Sequence, residues 1–148
     1  MKLSTKGRYG LRILLDVALH GGEAPRLARE IAASQGISEK YISRLLIALR
    51  RAGLVVSVRG AKGGYRLGRF PESITLLDVV EAMEGQISLV ACVQKPGLCS
   101  KVPTCPARKA WAGVNAKIRV ALSETTLAEI LKSRERDLDD SSQVEYCI

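Results

Sequence analysis

The chain has 148 residues, 47% of them hydrophobic and 26% charged, and a formal net charge of +8. That length bounds one domain, or one small domain with an appendage, able to bury a core without disulfide staples; the composition excludes a disordered chain. No run reaches the roughly 18 apolar residues of a membrane span. The basic start lacks a small-residue cleavage site, and Arg12 and Asp16 break the apolar stretch behind it, so the expected location is the cytoplasm.

Residues 5–20 are predicted as a helix, because Leu11, Leu14, Leu15, Ala18 and Leu19 recur at three- and four-residue spacing. Ser4 or Thr5 caps it and Gly21-Gly22 ends it. Pro25 opens a short second helix over about residues 26–34, with Leu27, Ala28 and Ile31 inward, and Gln35-Gly36 makes a tight turn. Ser38 caps a third helix that runs to about Ala52, where Gly53 stops it. Its inward face is Tyr41, Ile42, Leu45, Leu46, Leu49 and Ala52. Its outward face is Glu39, Lys40, Ser43, Arg44, Arg50 and Arg51, four cations to one anion. Two helices joined by a glycine-containing turn, the second amphipathic, form a helix-turn-helix pattern.

Leu54 to Arg59 is a β-branched run, Gly60-Ala61-Lys62-Gly63-Gly64 a glycine-rich turn, and Tyr65-Arg66-Leu67 a returning strand. A phosphate-cradling loop is the competing reading, but there is no Walker pattern and no Gly-x-Gly-x-x-Gly ahead of a helix. A helix-turn-helix followed by a basic hairpin is the winged-helix order. The outward face of the third helix suits base edges and phosphates in the major groove, and the hairpin tip suits a minor groove. The fold class expected is mainly α with one small β-hairpin.

Residues 68–74 connect to a short helix that starts at the capping box Thr75-x-x-Asp78 and ends near Gly85. Ile87–Val90 is short and apolar. Residues 92–105, with Pro96, Gly97 and Pro103, read as a loop. Pro106 opens a long helix to about Ser123 with the apolar stripe Trp111, Val114, Ile118, Ala121 and Leu122, open both to a second chain and to the chain's own core. Thr126-x-x-Glu129 caps a final short helix, and the charged residues beyond it read as a fraying tail.

Charge and cysteine divide the chain. Residues 1–70 hold 14 Lys and Arg against 4 Asp and Glu, a net +10, and no cysteine. Residues 71–148 hold 9 against 11, a net −2, and all four cysteines, Cys92, Cys99, Cys105 and Cys147. A basic half is either a plain solvated surface or the footprint for an anionic polymer. Clustered thiols in a reduced compartment point to metal or redox chemistry rather than to disulfides. The spacing Cys92-x6-Cys99-x5-Cys105 is not that of a zinc ribbon. It admits an iron–sulfur cluster, zinc, a thiol redox switch or inert thiols.

Lys6-Gly7-Arg8-Tyr9, Gln35-Gly36-Ile37-Ser38, the run Val58 to Leu67, the cysteine cluster followed by Trp111, and Thr126 to Ile130 together resemble the Rrf2 family of bacterial winged-helix transcription regulators, above all its IscR-type branch, over about residues 1–132. The resemblance implies a winged helix-turn-helix at 1–70, a linker helix and cluster loop at 71–105, a dimerisation helix and final short helix at 106–132, and a flexible tail at 133–148. It implies a homodimer on a near-palindromic duplex-DNA operator. Ser38, Arg59 and Gly60 match the family's DNA-contacting positions. Lys40, Ser43, Arg44 and the wing-tip Lys62 lie on the same exposed surfaces, with Arg59 assigned to the minor groove. Tyr41 sits at a family-like position but faces inward and is read as core.

The resemblance further implies an iron–sulfur cluster, [2Fe–2S] ahead of [4Fe–4S], on Cys92, Cys99 and Cys105. The sequence departs from the branch pattern where a histidine ligand follows the third cysteine by three residues: that position is Arg108. The first cysteine gap is also one residue longer than in the best-known members. Arg8 stands where other branches take a ligand from the partner's first helix. The single histidine, His20, reads as a helix C-terminal surface residue. The fourth ligand is therefore open, with a carboxylate, Cys147 or an exogenous group as candidates. The function expected is a transcription regulator, taken as a repressor, whose cluster reports iron, sulfur, redox or nitric-oxide status; the alternative is a winged-helix regulator with a thiol or zinc switch. No Ser/His/Asp, Cys/His or paired-carboxylate constellation suggests an enzyme. An interaction module with a vestigial winged helix is the remaining alternative.

Overall fold

The computed structural model describes residues 3–22 and 24–143. The helices are α1 (Thr5–His20), α2 (Ala28–Gln35), α3 (Glu39–Arg51), α4 (Leu76–Glu84), α5 (Ala91–Gln94), α6 (Pro106–Glu124) and α7 (Leu127–Gln143). The strands β1 (Val55–Val58) and β2 (Gly64–Leu67) pair antiparallel, with Val55 opposite Leu67 and Val58 opposite Gly64. This is a mostly helical fold with one two-stranded wing. No described helix is long and apolar enough to cross a membrane.

The core lies where α1, α2, α3 and α4 meet. Ile13, Leu14, Ile31, Ile42, Leu46, Leu49, Leu54 and Ile74 are fully buried there. The buried face of α1 is centred on Ile13, Leu14 and Val17, while Leu11, Leu15 and Ala18 are only half-buried and Leu19 is exposed. The predicted stripe was rotated because α4 packs across Gly7 and Gly10, drawing that side of the helix inward. In α3 the predicted face holds for Ile42, Leu45, Leu46 and Leu49, but Ala52 is exposed.

The capping predictions hold in atomic detail. Ser4 Oγ accepts from Lys6 N, and Ser38 Oγ from Tyr41 N. Thr75 and Asp78 exchange a reciprocal pair of bonds at 3.1 and 3.0 Å, as do Thr126 and Glu129 at 3.2 and 2.9 Å. Helix α2 starts later than predicted, at Ala28. Both backbone groups of Arg26 are committed to Tyr65 on β2, each at 2.8 Å, so that residue extends the wing sheet instead of opening a helix.

Beyond the wing, a second short bridge joins Thr75 to Thr126, with Leu76 N donating to Thr125 O and Leu127 N to Ile74 O, both at 2.8 Å. It seats Leu127, buried to 1% exposure, in the winged-helix core. The residues expected to fray continue α7 as far as Gln143. Residues 132–143 contain no glycine or proline, and Lys, Arg, Glu and Leu propagate a helix well once it is capped. The expected loop 92–105 is likewise partly organised, as α5 and two single 3-10 turns, Pro96–Leu98 and Val102–Thr104, each opened by or containing proline.

Candidate nucleic-acid interface and cysteine segment

Lys40 and Arg44 are exposed on α3 and Ser43 is half-buried between them. Ile47, which the sequence reading passed over, continues the same face one turn on and is 45% exposed. An aliphatic side chain on a basic helix face is suited to a thymine methyl. Ser38 spends a lone pair on the cap, leaving its hydroxyl hydrogen free to donate outward.

At the wing, Arg59, Gly60 and Lys62 are all exposed. Gly63 N donates to Gly60 O at 2.9 Å and closes the tip. Gly60 has φ 111°, where a side chain would be strained, so the glycine is required by the turn itself. Gly64 has φ 148° and lies so close to the Arg26 carbonyl that a Cβ would stand 2.7 Å from it. Lys40, Arg44, Arg59 and Lys62 make no ion pair with the described residues, so their charge faces outward undiminished.

Behind this surface lies a polar hub absent from the sequence reading. Asp16, 4% exposed, accepts from Arg26 Nε at 2.9 Å, from Gln35 Nε2 at 3.1 Å and from the Ser34 hydroxyl. Burial pushes its carboxyl up, but those three hydrogen bonds and the Arg26 charge outweigh it and hold Asp16 below the usual carboxylate range. Arg12 donates to Gln35 Oε1 at 2.7 Å and lies 5.1 Å over the Tyr9 ring, which meets Tyr41 edge-on at 6.1 Å. Tyr41 is half-buried against the core, as read. His20 sits exposed at the end of α1, its Nδ1 3.1 Å from Asp16 O. A second carboxylate, Glu84 on α4, caps α1 by accepting from Ser4 Oγ, Ser4 N and Gly7 N at 2.5, 3.1 and 3.0 Å. The Ser4 hydroxyl bond holds Glu84 below its ordinary range against a partial burial penalty.

The cysteines lie on the segment that leads into α6. Cys92 on α5 is half-buried, Cys99 is exposed, and Cys105 is half-buried immediately before α6; all three are free thiols. Among the described residues no three His, Cys, Asp or Glu side chains stand close enough to hold a metal ion, so the three thiols are not gathered here. Cys147 lies outside the described residues. Arg108, at the position where the sequence comparison expected a ligand, donates from Nε to Cys92 O at 3.1 Å. Further along α6, buried Asn115 accepts from Leu89 N at 3.1 Å, and Arg119 pairs with Glu81 on α4. These contacts moor α6 to the cysteine segment and to α4.

The predicted apolar stripe of α6 is divided. Ile118 and Leu122 are half-buried, whereas Trp111 is 48% and Val114 45% exposed and Ala121 is exposed. α4 covers only one side of the helix, and Asn115 is its sole buried residue.

A family model described as Rrf2, iron-dependent transcriptional regulator, matches residues 3–133. The chain belongs to the Rrf2 family. It is 37% identical over 149 residues to the HTH-type transcriptional regulator IscR of Vibrio campbellii, spanning all of this chain and 88% of that one. It is 40% identical over 130 residues to the HTH-type transcriptional regulator CymR of Bacillus subtilis, covering 88% of this chain and 89% of that one. Among solved structures, CymR, described as the global cysteine regulator of B. subtilis, superposes with a TM-score of 0.75 at 39% identity, covering 90% of this chain and 98% of CymR. IscR of T. potens superposes with a TM-score of 0.73 at 38% identity, covering 93% and 90%. This Rrf2 protein is thus a winged-helix transcriptional regulator rather than an enzyme, with relatives of both the IscR and the CymR kind.

Proposed function

We propose that this chain is a cytoplasmic, homodimeric regulator, acting as a repressor, that binds a near-palindromic operator and is switched through the cysteine segment. The carrying observation is the pair of outward, unpaired basic surfaces: Lys40 and Arg44 on α3, and Arg59 and Lys62 at the wing tip. In this reading residues 1–70 read DNA. Ser38, Lys40, Ser43 and Arg44 meet the major groove and its phosphates, and Arg59 and Gly60, flanked by Lys62, meet the minor groove. Residues 106–132 dimerise, the exposed Trp111 and Val114 supplying apolar surface for a second copy. Duplex binding that falls steeply with salt, lost on Arg59→Ala with Arg44→Ala, tests this; salt-insensitive or absent duplex binding would sink it.

The sensing group proposed is an iron–sulfur cluster on Cys92, Cys99 and Cys105, [2Fe–2S] ahead of [4Fe–4S], in the linker unit 71–105. Three soft, accessible thiols on a short segment fit three cluster corners by chemistry. Arg108 cannot ligate, so the protein supplies no fourth corner there. When bound, such a group supplies a redox-active, oxidant-labile centre. The chain's own part is mechanical. Arg108 moors the start of the segment to α6 and Asn115 holds the approach to it at Leu89, so ordering residues 92–105 biases α6 and with it the spacing of two α3 helices. Anaerobically purified protein should carry iron, sulfide and visible absorbance, all lost in a Cys92, Cys99, Cys105 triple Ala variant together with normal operator affinity. Identical absorbance and affinity in the two proteins would overturn the proposal. A colourless wild type whose affinity changes on thiol oxidation or zinc removal would establish the thiol or zinc switch instead, the thiol form of which the CymR likeness supports.

A further inference from the structure

Recognition through two grooves requires that the wing stand at a set place relative to α3, and the hairpin alone cannot ensure this. It has two strands of four residues each, and an isolated pair of that size is marginal in water. Val55, Tyr65 and Leu67 pack its base against the core, and Arg26 adds a polar fastening to β2. The backbone of Arg26 pairs with Tyr65 in both directions at 2.8 Å and acts as a third strand. Its side chain donates to Asp16 Oδ1 at 2.9 Å. The other oxygen of Asp16 accepts from Ser34 and Gln35, the last two residues of α2, three residues ahead of the Ser38 cap of α3. One buried carboxylate on α1 therefore ties β2, through Arg26, to the turn that launches α3.

We infer that Asp16 and Arg26 are positioning residues for operator reading, setting the wing relative to the recognition helix from behind the DNA-facing surface. The inference rests on α3 and the wing being the DNA-reading elements. The geometry distinguishes it from a generic stabilising ion pair. Arg26 has its main chain bridged to the wing sheet while its side chain belongs to the α1–α2 junction. Replacing that side chain leaves the backbone bridge and the hydrophobic core in place. The wing keeps its fold and its seat on the core and loses the side-chain tie that sets its angle to α3.

The test uses the full chain and a duplex selected by the wild-type protein from a randomised pool, with affinities measured well below each variant's melting midpoint. Arg26→Gln is the main variant. Asp16→Asn presents an NH2 group to donors and is the harsher one. Arg26→Gln should weaken binding about three- to tenfold. Combined with Arg59→Ala it should add less than its own loss, because the main wing contact it misplaces is already gone. Combined with Lys40→Ala, on α3, the losses should multiply. An unchanged affinity for Arg26→Gln, or losses that multiply with Arg59→Ala as fully as with Lys40→Ala, overturns the inference. An unchanged affinity for Arg59→Ala alone overturns the wing reading itself, and this inference with it.

Discussion

α3 is 13 residues long and buries Ile42, Leu45, Leu46 and Leu49; α6 is 19 residues long and buries Asn115 alone. Both helices carry an apolar stripe in sequence, the sharper one on α3, yet one stripe is consumed inside the chain and the other is left half in solvent, with Trp111 and Val114 exposed. Polar contacts divide the same way. In the winged-helix half, buried Asp16 has every oxygen engaged within the chain. In the α6 half, Cys92, Cys99 and Cys105 are free thiols among the described residues. The winged-helix core is closed by its own chain, with Ile74, Val79 and Leu127 completing it from beyond the wing, whereas α6 leaves apolar surface and thiols uncovered among the described residues.

The largest effect that could break this contrast is in the core. Leu46→Ala should cost about 2–5 kcal/mol of unfolding free energy by denaturant titration, as expected for a large side chain removed from a filled interior. Trp111→Ala should change the stability of the monomer little, yet shift sedimentation toward the monomer. Comparable stability losses for the two would show that α6 is core after all. Next comes the wing: Arg59→Ala should weaken operator binding by about 1–3 kcal/mol, read by fluorescence anisotropy, with the melting temperature unchanged.

Acid should act on the winged half. Asp16 and Glu84 are both held below their ordinary range, so the folded chain binds fewer protons than the unfolded one. Their contribution is complete above the unfolded carboxylate range near pH 4 and is lost as pH falls through the folded values. Glu84→Gln should flatten that acid limb in thermal melts, and a limb of undiminished steepness would count against the helix-capping role. The smallest effect expected is Ser38→Ala, about 1 kcal/mol of stability from the lost cap. Any additional loss of DNA affinity then reports the outward hydroxyl.

The periodic parts of the fold were legible. α1, α3 and α4 with their caps follow from short-range chemistry: a serine or threonine, an acid three residues on, an apolar repeat. Long-range polar contacts were not. Asp16 looked like an interruption in an apolar run, because nothing within the run shows that Arg26, Ser34 and Gln35 converge on it from another helix. Glu84 gave no sign of capping a helix some eighty residues earlier in the chain. Arg26 read as helix because its commitment to Tyr65 is tertiary. Among the candidate site residues, outward placement of Lys40, Arg44, Arg59 and Lys62 could be anticipated from helix phase and turn chemistry. Ile47 could have been found by carrying the Lys40–Arg44 face one turn further. Whether three cysteines on a proline-containing segment converge depends on what binds them, and spacing does not encode that.

The bridge between Thr75 and Thr126 has a consequence for how such a regulator can be rewired. The chain from α4 to the end of α6, cysteines included, leaves and rejoins the winged-helix core side by side at this hydrogen-bonded clasp. Within that excursion α4 packs on α1 and α3, and Arg119 pairs with Glu81, so the cysteine segment and α6 are joined to the winged-helix core through α4 as well as through the clasp. On the function proposed above, a change at the cysteines would reach the DNA-reading elements by those two routes, and the cysteine segment can be varied residue by residue with the α1–α3 core left in place.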